Sequence, residues 1–141
     1  MPQDPGVRTV AVEATFRHSA GRLGSRFLKA IRDEGRFLGW RTGDPPRVML
    51  PPKDLGEPGE WVEIGPGARL EAYAPATWLN DAAGTDTCLA LVRLDGAETA
   101  LLAHLKPAPM PNALAIGTRL IARFAAERRG AMTDFWFEVA P

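Results

Sequence analysis

A dense run of proline and glycine in the middle of the chain most constrains what this sequence can fold into. Between residues 41 and 59 it carries five prolines and three glycines, namely Pro45, Pro46, Pro51, Pro52, Pro58, Gly43, Gly56 and Gly59. Proline lacks the amide hydrogen that helices and central strands need, so this stretch excludes a helix and allows at most one short strand, at residues 47–50. We expect an ordered loop or a small separate lobe here.

Beyond residue 60 the pattern changes to a period of two, with runs of strand-forming residues. These runs are residues 61–64, 68–78, 87–94, 100–105, 118–126 and 134–139. Gly65-Pro66-Gly67 indicates a bend, residues 80–86 a flexible loop, Asp95-Gly96 a hairpin turn, and residues 109–116 have room for one helical turn. A long first strand, a meander of two more, a short helical link and two closing strands is the order expected of an OB-fold, a five-stranded Greek-key barrel.

The N-terminal part predicts a short strand and a helix. Residues 9–16 alternate well enough for one strand, after a loose tail. Ser19 is a candidate N-cap, Leu23, Phe27 and Ile31 recur at a spacing of four, and Gly35 follows as a stop, so residues 20–34 are expected to form an amphipathic helix. We therefore divide the chain into a tail with a short strand (1–18), a helix region (19–40), the proline-rich lobe (41–59) and the barrel (60–141).

Composition removes several classes of partner. The 17 basic residues balance 17 acidic ones, so the protein lacks the net positive field that draws a chain to nucleic acid or to an anionic membrane. No segment approaches the roughly 18 apolar residues of a membrane span, and the charged first twenty residues do not match a signal peptide. We expect a cytoplasmic protein without membrane contact.

The inventory of catalytic groups is short, and we do not expect an enzyme. The single cysteine, Cys88, lies in an apolar run typical of a buried strand, where a thiol is a small hydrophobic group. His104 lies among aliphatic neighbours, which favours a structural histidine over a general base. Because Cys88 is accompanied only by His18 and His104, the sequence cannot assemble a cysteine-rich zinc site.

Aromatic residues on the strands leave a second function open, single-stranded nucleic-acid binding by an OB-fold. The candidates for base stacking are Trp61, Tyr73, Trp78, Phe135, Trp136 and Phe137. Four arginines accompany them on the strands, but Glu71 and Glu138 oppose this charge. Packing in the core and at the barrel ends is the favoured interpretation, and nucleic-acid binding is kept as the alternative.

At His18-Ser-Ala-Gly-Arg-Leu-Gly-Ser-Arg-Phe-Leu the chain begins to resemble a family of zinc-ribbon and OB-fold proteins that accompany thiolases, family thirty-five of the domains of unknown function, and the resemblance runs from about residue 12 to the end. Members have a helix with a similar Ser-Ala-Gly opening, then a ribbon written Cys-x-x-Cys-Gly, four residues, Pro-Pro-Arg, two residues, Cys-Pro-x-Cys, and then a barrel that opens with Trp-Val. Here Pro51-Pro52-Lys53 matches Pro-Pro-Arg and Trp61-Val62 the barrel opening. The four ligand positions then fall on Thr42, Pro45, Gly56 and Gly59, so the resemblance implies a degenerate, rubredoxin-like ribbon that binds no zinc.

The resemblance also implies a function. Members bind a thiolase or a related acyl-CoA enzyme and help to form or shield its acyl-CoA site, so we expect a non-catalytic accessory subunit. No cofactor is expected to bind tightly, acyl-CoA is a candidate ligand, and oligomers are expected only through the partner complex. Arg47 and Lys53, near the lobe, are the candidates for contact with the acyl-CoA phosphates.

The surface expected to dock the partner follows the helix. Phe37, Leu38 and Trp40 form an apolar cluster beside a lobe that is too small to bury them alone, so they should meet either the partner or the barrel. Packing of Trp40 inside the chain is the alternative to its role as an interface anchor. In the docking hypothesis, the helix and the lobe bind the partner and the barrel acts as scaffold and cover.

Overall fold

The computed structural model describes residues 6, 8–75, 88–110 and 112–141. In these residues the protein is mainly β, with one α-helix and eight strands. The elements are α1 (Gly21–Lys29) followed by a π-helical turn (Ala30–Glu34), then β1 (Phe37–Thr42), β2 (Arg47–Met49), β3 (Gly59–Ile64), β4 (Gly67–Pro75), β5 (Cys88–Leu94), β6 (Leu101–Leu105), β7 (Arg119–Phe124) and β8 (Phe135–Val139). No helix in this part of the chain has the length and apolar character that a bilayer crossing requires.

The N-terminal part differs from the prediction in two ways. The strand predicted at residues 9–16 is not formed: residues 8–20 are exposed and belong to no helix or strand, because they pair with no strand of the described chain that could accept their backbone hydrogen bonds. The predicted helix is α-helical only as far as Lys29 and continues as a π-helical turn up to Gly35, which adopts φ of 61°. The apolar stripe is as predicted, since Leu23, Phe27 and Ile31 are all buried.

The proline-rich lobe extends beyond residues 41–59, because residues 37–64 form one three-stranded antiparallel sheet in the order β2-β1-β3. The strand run at residues 61–64, assigned from sequence to the barrel, belongs to this sheet. Strand β2 matches the short strand predicted at residues 47–50. The central strand of this sheet, β1, was not predicted as a strand, because Phe37-Leu-Gly-Trp is apolar on both faces and shows no alternation. Both faces are covered, which explains the pattern: Phe37 turns toward the barrel, and Trp40 on the other face is also buried.

Strands β4 to β8 close into a barrel in the order β4-β5-β6-β8-β7, and β7 pairs back to β4. The barrel strands thus follow one another in the order first, second, third, fifth, fourth, and the contact of β6 with β8 is the parallel one. This closed five-stranded barrel is consistent with the predicted OB-type topology. The predicted strand runs are confirmed within one or two residues where the structure describes them, whereas residues 76–87, which include Trp78 and the predicted loop 80–86, lie outside the described residues.

One apolar core joins the helix, the lobe and the barrel. Phe27 and Ile31 from the helical segment, Leu50 from the lobe and the inward side chains of the barrel belong to the same buried cluster. Phe37 reaches from β1 to the barrel, with its ring centroid 4.9 Å from that of Phe135. Gly65 and Pro66 alone separate β3 from β4, so the lobe sheet runs directly into the barrel. No helix is present in the described part of the link at residues 109–116.

The loop between β7 and β8 is fixed by a buried carboxylate. Asp134, 5 % exposed, accepts hydrogen bonds from the backbone N–H groups of Arg129, Gly130 and Ala131, at 2.7 to 3.1 Å. The same loop carries Arg128, whose guanidinium donates to the carbonyls of Arg32 and Ala125. Asp134 therefore shapes the loop that ties the helical segment to the barrel.

Candidate functional site

A side-chain hydrogen bond joins the end of β1 to the segment just before β3. Thr42 at the end of β1 lies opposite Gly59 at the start of β3. The Thr42 hydroxyl donates to the carbonyl of Pro58 at 2.8 Å, and Thr42 is 6 % exposed. Buried polar groups destabilise a fold unless they find such partners. This bond links two segments that a metal would link in a zinc ribbon.

Aromatic packing fills the space beside Gly59. The ring centroids of Trp40 and Trp61 are 4.9 Å apart in an edge-to-face arrangement, a favourable geometry for aromatic pairs. A Cβ atom on Gly59 would lie 2.5 Å from the Trp40 ring and 2.7 Å from the Arg41 carbonyl oxygen. Position 59 therefore has no room for a cysteine side chain while Trp40 keeps its place.

The structure brings together only two of the four positions aligned with zinc ligands. Thr42 and Gly59 lie in register and line a shallow pocket of about 330 Å³ at the end of the lobe. Pro45 lies in the turn between β1 and β2, and Gly56 in a turn held by its N–H donating to Asp54 Oδ1 at 2.9 Å. Neither lines the pocket, and the described residues contain no group of three or more His, Cys, Asp or Glu side chains placed to hold a metal ion.

We expect purified protein to contain no stoichiometric zinc. Threonine, proline and glycine side chains supply neither thiolate nor imidazole, which structural zinc sites require. Elemental analysis after exhaustive dialysis, with a known zinc-ribbon protein measured alongside, checks this. One zinc ion per chain that is lost on substitution within the lobe would refute the alignment of Thr42, Pro45, Gly56 and Gly59 with the ligand positions.

The two basic candidates for phosphate contact are not brought into one site. Arg47 lies on β2, 76 % exposed, with its Nε 3.8 Å from a carboxylate oxygen of Glu98. Lys53 is exposed in the irregular segment after β2. Neither residue lines the pocket at the end of the lobe. Contact with acyl-CoA phosphates stays a prediction for both.

The three residues predicted to dock a partner are buried within the chain. Phe37 is 1 %, Leu38 3 % and Trp40 6 % exposed. Phe37 belongs to the common core, and the Arg22 guanidinium lies 5.8 Å from the centroid of the Trp40 ring. This burial favours the internal alternative, because a side chain covered by its own chain has little surface to offer a partner. The docking role of these residues stays a prediction that their burial does not support.

Cys88 and His104 do not form a catalytic pair. They lie on neighbouring strands, but Cys88 faces the core, whereas His104 is half-buried on the outer face of β6. Burial raises the pKa of the Cys88 thiol, which disfavours the nucleophilic thiolate. Burial, followed by the charge of Lys106, lowers the pKa of His104 and favours its neutral form.

The outer face of β4, β5 and β6 is an apolar surface that the sequence analysis did not identify. Two rows cross the three strands in register, Ala72–Leu91–Leu102 and Ala74–Leu89–His104. Leu91 is 41 % and Leu102 56 % exposed. We call these six residues the barrel patch. Its sequence signal is the unbroken apolar run from Leu89 to Val92, which is more than one buried face of a strand requires.

Most aromatic residues considered for base stacking are used in packing. Phe135 and Phe137 are in the core, Trp61 packs on Trp40, and the Tyr73 hydroxyl accepts from the Leu114 N–H at 3.1 Å. Trp136 lies on the outer side of β8 with the Lys106 ammonium 4.7 Å from its ring centroid. On the second and third barrel strands, where OB-folds bind oligonucleotides, the outer face carries the apolar barrel patch, and Arg93 beside it is paired with Glu71. The geometry therefore does not favour nucleic-acid binding.

No family model and no curated protein matches this chain. Membership in the thiolase-associated family therefore stays a prediction from the motifs of the sequence.

Proposed function

We propose that this protein is a non-catalytic subunit that binds a thiolase-like acyl-CoA enzyme and helps to form or shield its acyl-CoA site. In this proposal the barrel is an OB-fold and the lobe is a degenerate zinc ribbon. The barrel patch is the observation that carries the binding role. A net charge of zero is compatible with a protein partner and gives no electrostatic attraction to nucleic acid.

The patch has the character of an interface core. Leucines project from adjacent strands and are flanked by alanines that leave the surface flat, while Arg93 and Glu71 pair at 2.5 Å beside it. Interface cores are depleted in charge and bordered by polar groups, which this arrangement reproduces. Such a surface fits a folded protein partner, and it supports a docking role for the barrel, whereas the sequence prediction assigned that role to the helix and lobe.

The proposal does not require this chain to supply a reacting group. A non-catalytic subunit contributes by covering a cleft of its partner and excluding water, which strengthens the electrostatic interactions inside that cleft. Arg47 and Lys53 would contact acyl-CoA phosphates only if the lobe lies at the edge of the partner's cleft. The barrel patch and these two basic groups can therefore be tested separately.

Leu102→Glu should weaken binding of the thiolase-like partner by at least about tenfold, because it places a charge in the apolar centre of the interface. The affinity-tagged full chain is recovered from its native cells, the retained proteins are identified by mass spectrometry, and the affinity for the purified enzyme is then measured. Ile116→Glu is the matched control, since Ile116 is 80 % exposed and lies outside the patch.

Recovery of no thiolase-like enzyme with the wild-type chain would contradict the proposed function. Equal losses of affinity for Leu102→Glu and Ile116→Glu would contradict the role of the barrel patch alone. Thermal unfolding of both variants shows whether the substitutions leave the barrel intact.

A further inference from the structure

The N-terminal arm, residues 8–20, has the pattern of a strand without a strand's partner. Its apolar side chains are exposed, Val10 at 70 %, Val12 at 86 % and Phe16 at 73 %. Phe16 stacks on His18 of the arm itself, with 6.0 Å between ring centroids. A segment with alternating apolar residues forms a stable strand when it is added to a sheet, because the sheet then pairs its backbone N–H and C=O groups and covers its apolar face.

The lobe offers one open sheet edge in the part of the chain that the structure describes. The barrel strands pair in a closed ring. The outer edge of β2 is occupied, because the Glu98 N–H donates to the Val48 carbonyl and the Thr99 hydroxyl bonds both backbone groups of Leu50. Strand β3 pairs with β1 on one side, and its other side has no backbone hydrogen-bond partner among the described residues.

The arm and this edge are complementary in their apolar pattern. On β3, Val62 and Ile64 point to the core side of the sheet, and Val62 is only half-buried at the edge. An added strand with Val10, Val12 and Phe16 on that side would extend the core over Val62. Charge does not oppose this pairing, because Glu60 and Glu63 on the edge already pair with Arg41 and Arg36 of the same chain.

We propose that the N-terminal arm of one chain adds as a strand to the outer edge of β3 in a second copy, and that the exchange is reciprocal. Among the described residues of one chain, neither the arm nor the edge has a strand partner, although only residues 17–20 separate Phe16 from α1. A second copy presents the same edge without requiring this short connection to turn the arm back onto its own sheet. Two arms then fill two edges, and the closed dimer leaves neither open. This dimer does not depend on the thiolase-like partner.

Val12→Pro tests the exchange on the full chain. Proline removes a backbone donor and does not fit a paired strand, while the high exposure of Val12 leaves the fold of the single chain unaffected. Sedimentation equilibrium over a range of concentrations should show a wild-type species of twice the 15.3 kDa chain mass. We expect the dimer dissociation constant to rise at least about tenfold in Val12→Pro and to stay within about threefold in the matched control, Val12→Thr.

Disulfide trapping identifies the surfaces and distinguishes exchange from docking within one chain. Chains with a single new cysteine at Val10, Val12 or Ala14 are mixed with Glu60→Cys chains and oxidised, and at least one mixture should give a reducible heterodimer. The native Cys88 is 3 % exposed and does not compete. A wild-type chain that stays monomeric would overturn the proposal, and so would a Val12→Pro chain that dimerises like wild type. A third contrary result comes from a chain that carries both an arm cysteine and Glu60→Cys: disulfides that form only within that chain would show docking of the arm on its own sheet.

Discussion

Replacement of Asp134 by alanine should lower the free energy of unfolding by about 3 kcal/mol and the melting temperature by roughly 10 °C. The carboxylate accepts hydrogen bonds from three consecutive N–H groups, and its removal leaves these donors without a partner in a half-buried loop. The loop then loses the conformation in which Arg128 reaches the Arg32 carbonyl. Chemical denaturation followed by circular dichroism measures the loss.

The effect of Asp134 should depend on pH in a defined direction. Burial raises the pKa of this carboxyl, but the hydrogen bonds from Ala131, Arg129 and Gly130 and the charge of Arg128 outweigh burial, so the pKa is lowered overall. A carboxyl whose pKa is lower in the folded state stabilises the protein fully above its unfolded pKa of about 3.9. This stabilisation disappears as the pH falls through the folded pKa.

The stability difference between wild type and Asp134→Ala should therefore be constant near neutral pH and shrink at acidic pH. Asp33→Ala is the matched control, because Asp33 is an exposed carboxylate paired with Arg32 on the surface. A surface ion pair of this kind contributes little to stability, so the denaturation midpoint of Asp33→Ala should stay close to that of wild type. If the difference in unfolding free energy between wild type and Asp134→Ala did not change at acidic pH, the shape of the Asp134 side chain, and not its carboxylate charge, would hold the loop.

The barrel was predictable because its strands alternate and its turns carry their own signals. In β5 the inward positions Cys88, Ala90, Val92 and Leu94 are all buried, as a period of two requires. Asp95-Gly96 forms the predicted turn, with Gly96 at φ of 95°. These features are local, so one sequence is enough to place them.

The lobe was harder to predict because its central strand is covered on both faces. A strand with two buried faces has no alternation, so the Phe37 to Trp40 segment was interpreted as a cluster seeking a partner. In the structure, other parts of the same chain bury this segment on both faces of the strand. The arm shows the opposite case, since residues 9–16 carry the strand pattern but pair with no strand among the described residues of their own chain.

The barrel patch could not be predicted from sequence, because its residues become neighbours only through the pairing register of separate strands. Leu91 and Leu102 are adjacent because β5 and β6 pair in one particular register, which sequence alone does not set outside a tight hairpin. From sequence, the docking surface is predicted on the helix and lobe, at Phe37, Leu38 and Trp40. In the folded chain those three residues are buried, and the two exposed leucines that lie side by side, Leu91 and Leu102, are on the barrel.

Trp40→Ala should destabilise the protein by about 3 to 5 kcal/mol, the usual range for removing a buried tryptophan. Trp40 fills the space beside Gly59, packs edge-to-face on Trp61 and has the Arg22 guanidinium near its ring, so its removal opens a cavity where β1, β3 and α1 meet. No metal site is available among the described residues to hold the lobe closed in its place. The lobe should lose protection against amide hydrogen exchange before the barrel does.

Measuring stability and partner affinity on the same Trp40→Ala protein separates the internal role from the anchor role. If Trp40 packs internally, the melting temperature falls and the folded fraction binds the thiolase-like enzyme with unchanged affinity. If it is an interface anchor, affinity falls by roughly thirtyfold, equivalent to about 2 kcal/mol. Trp136→Ala is the matched control, since Trp136 is half-buried on the barrel surface, where it contacts Lys106 and donates a hydrogen bond to Glu138. Because Trp40 is only 6 % exposed, we expect it to pack internally and stabilise the lobe.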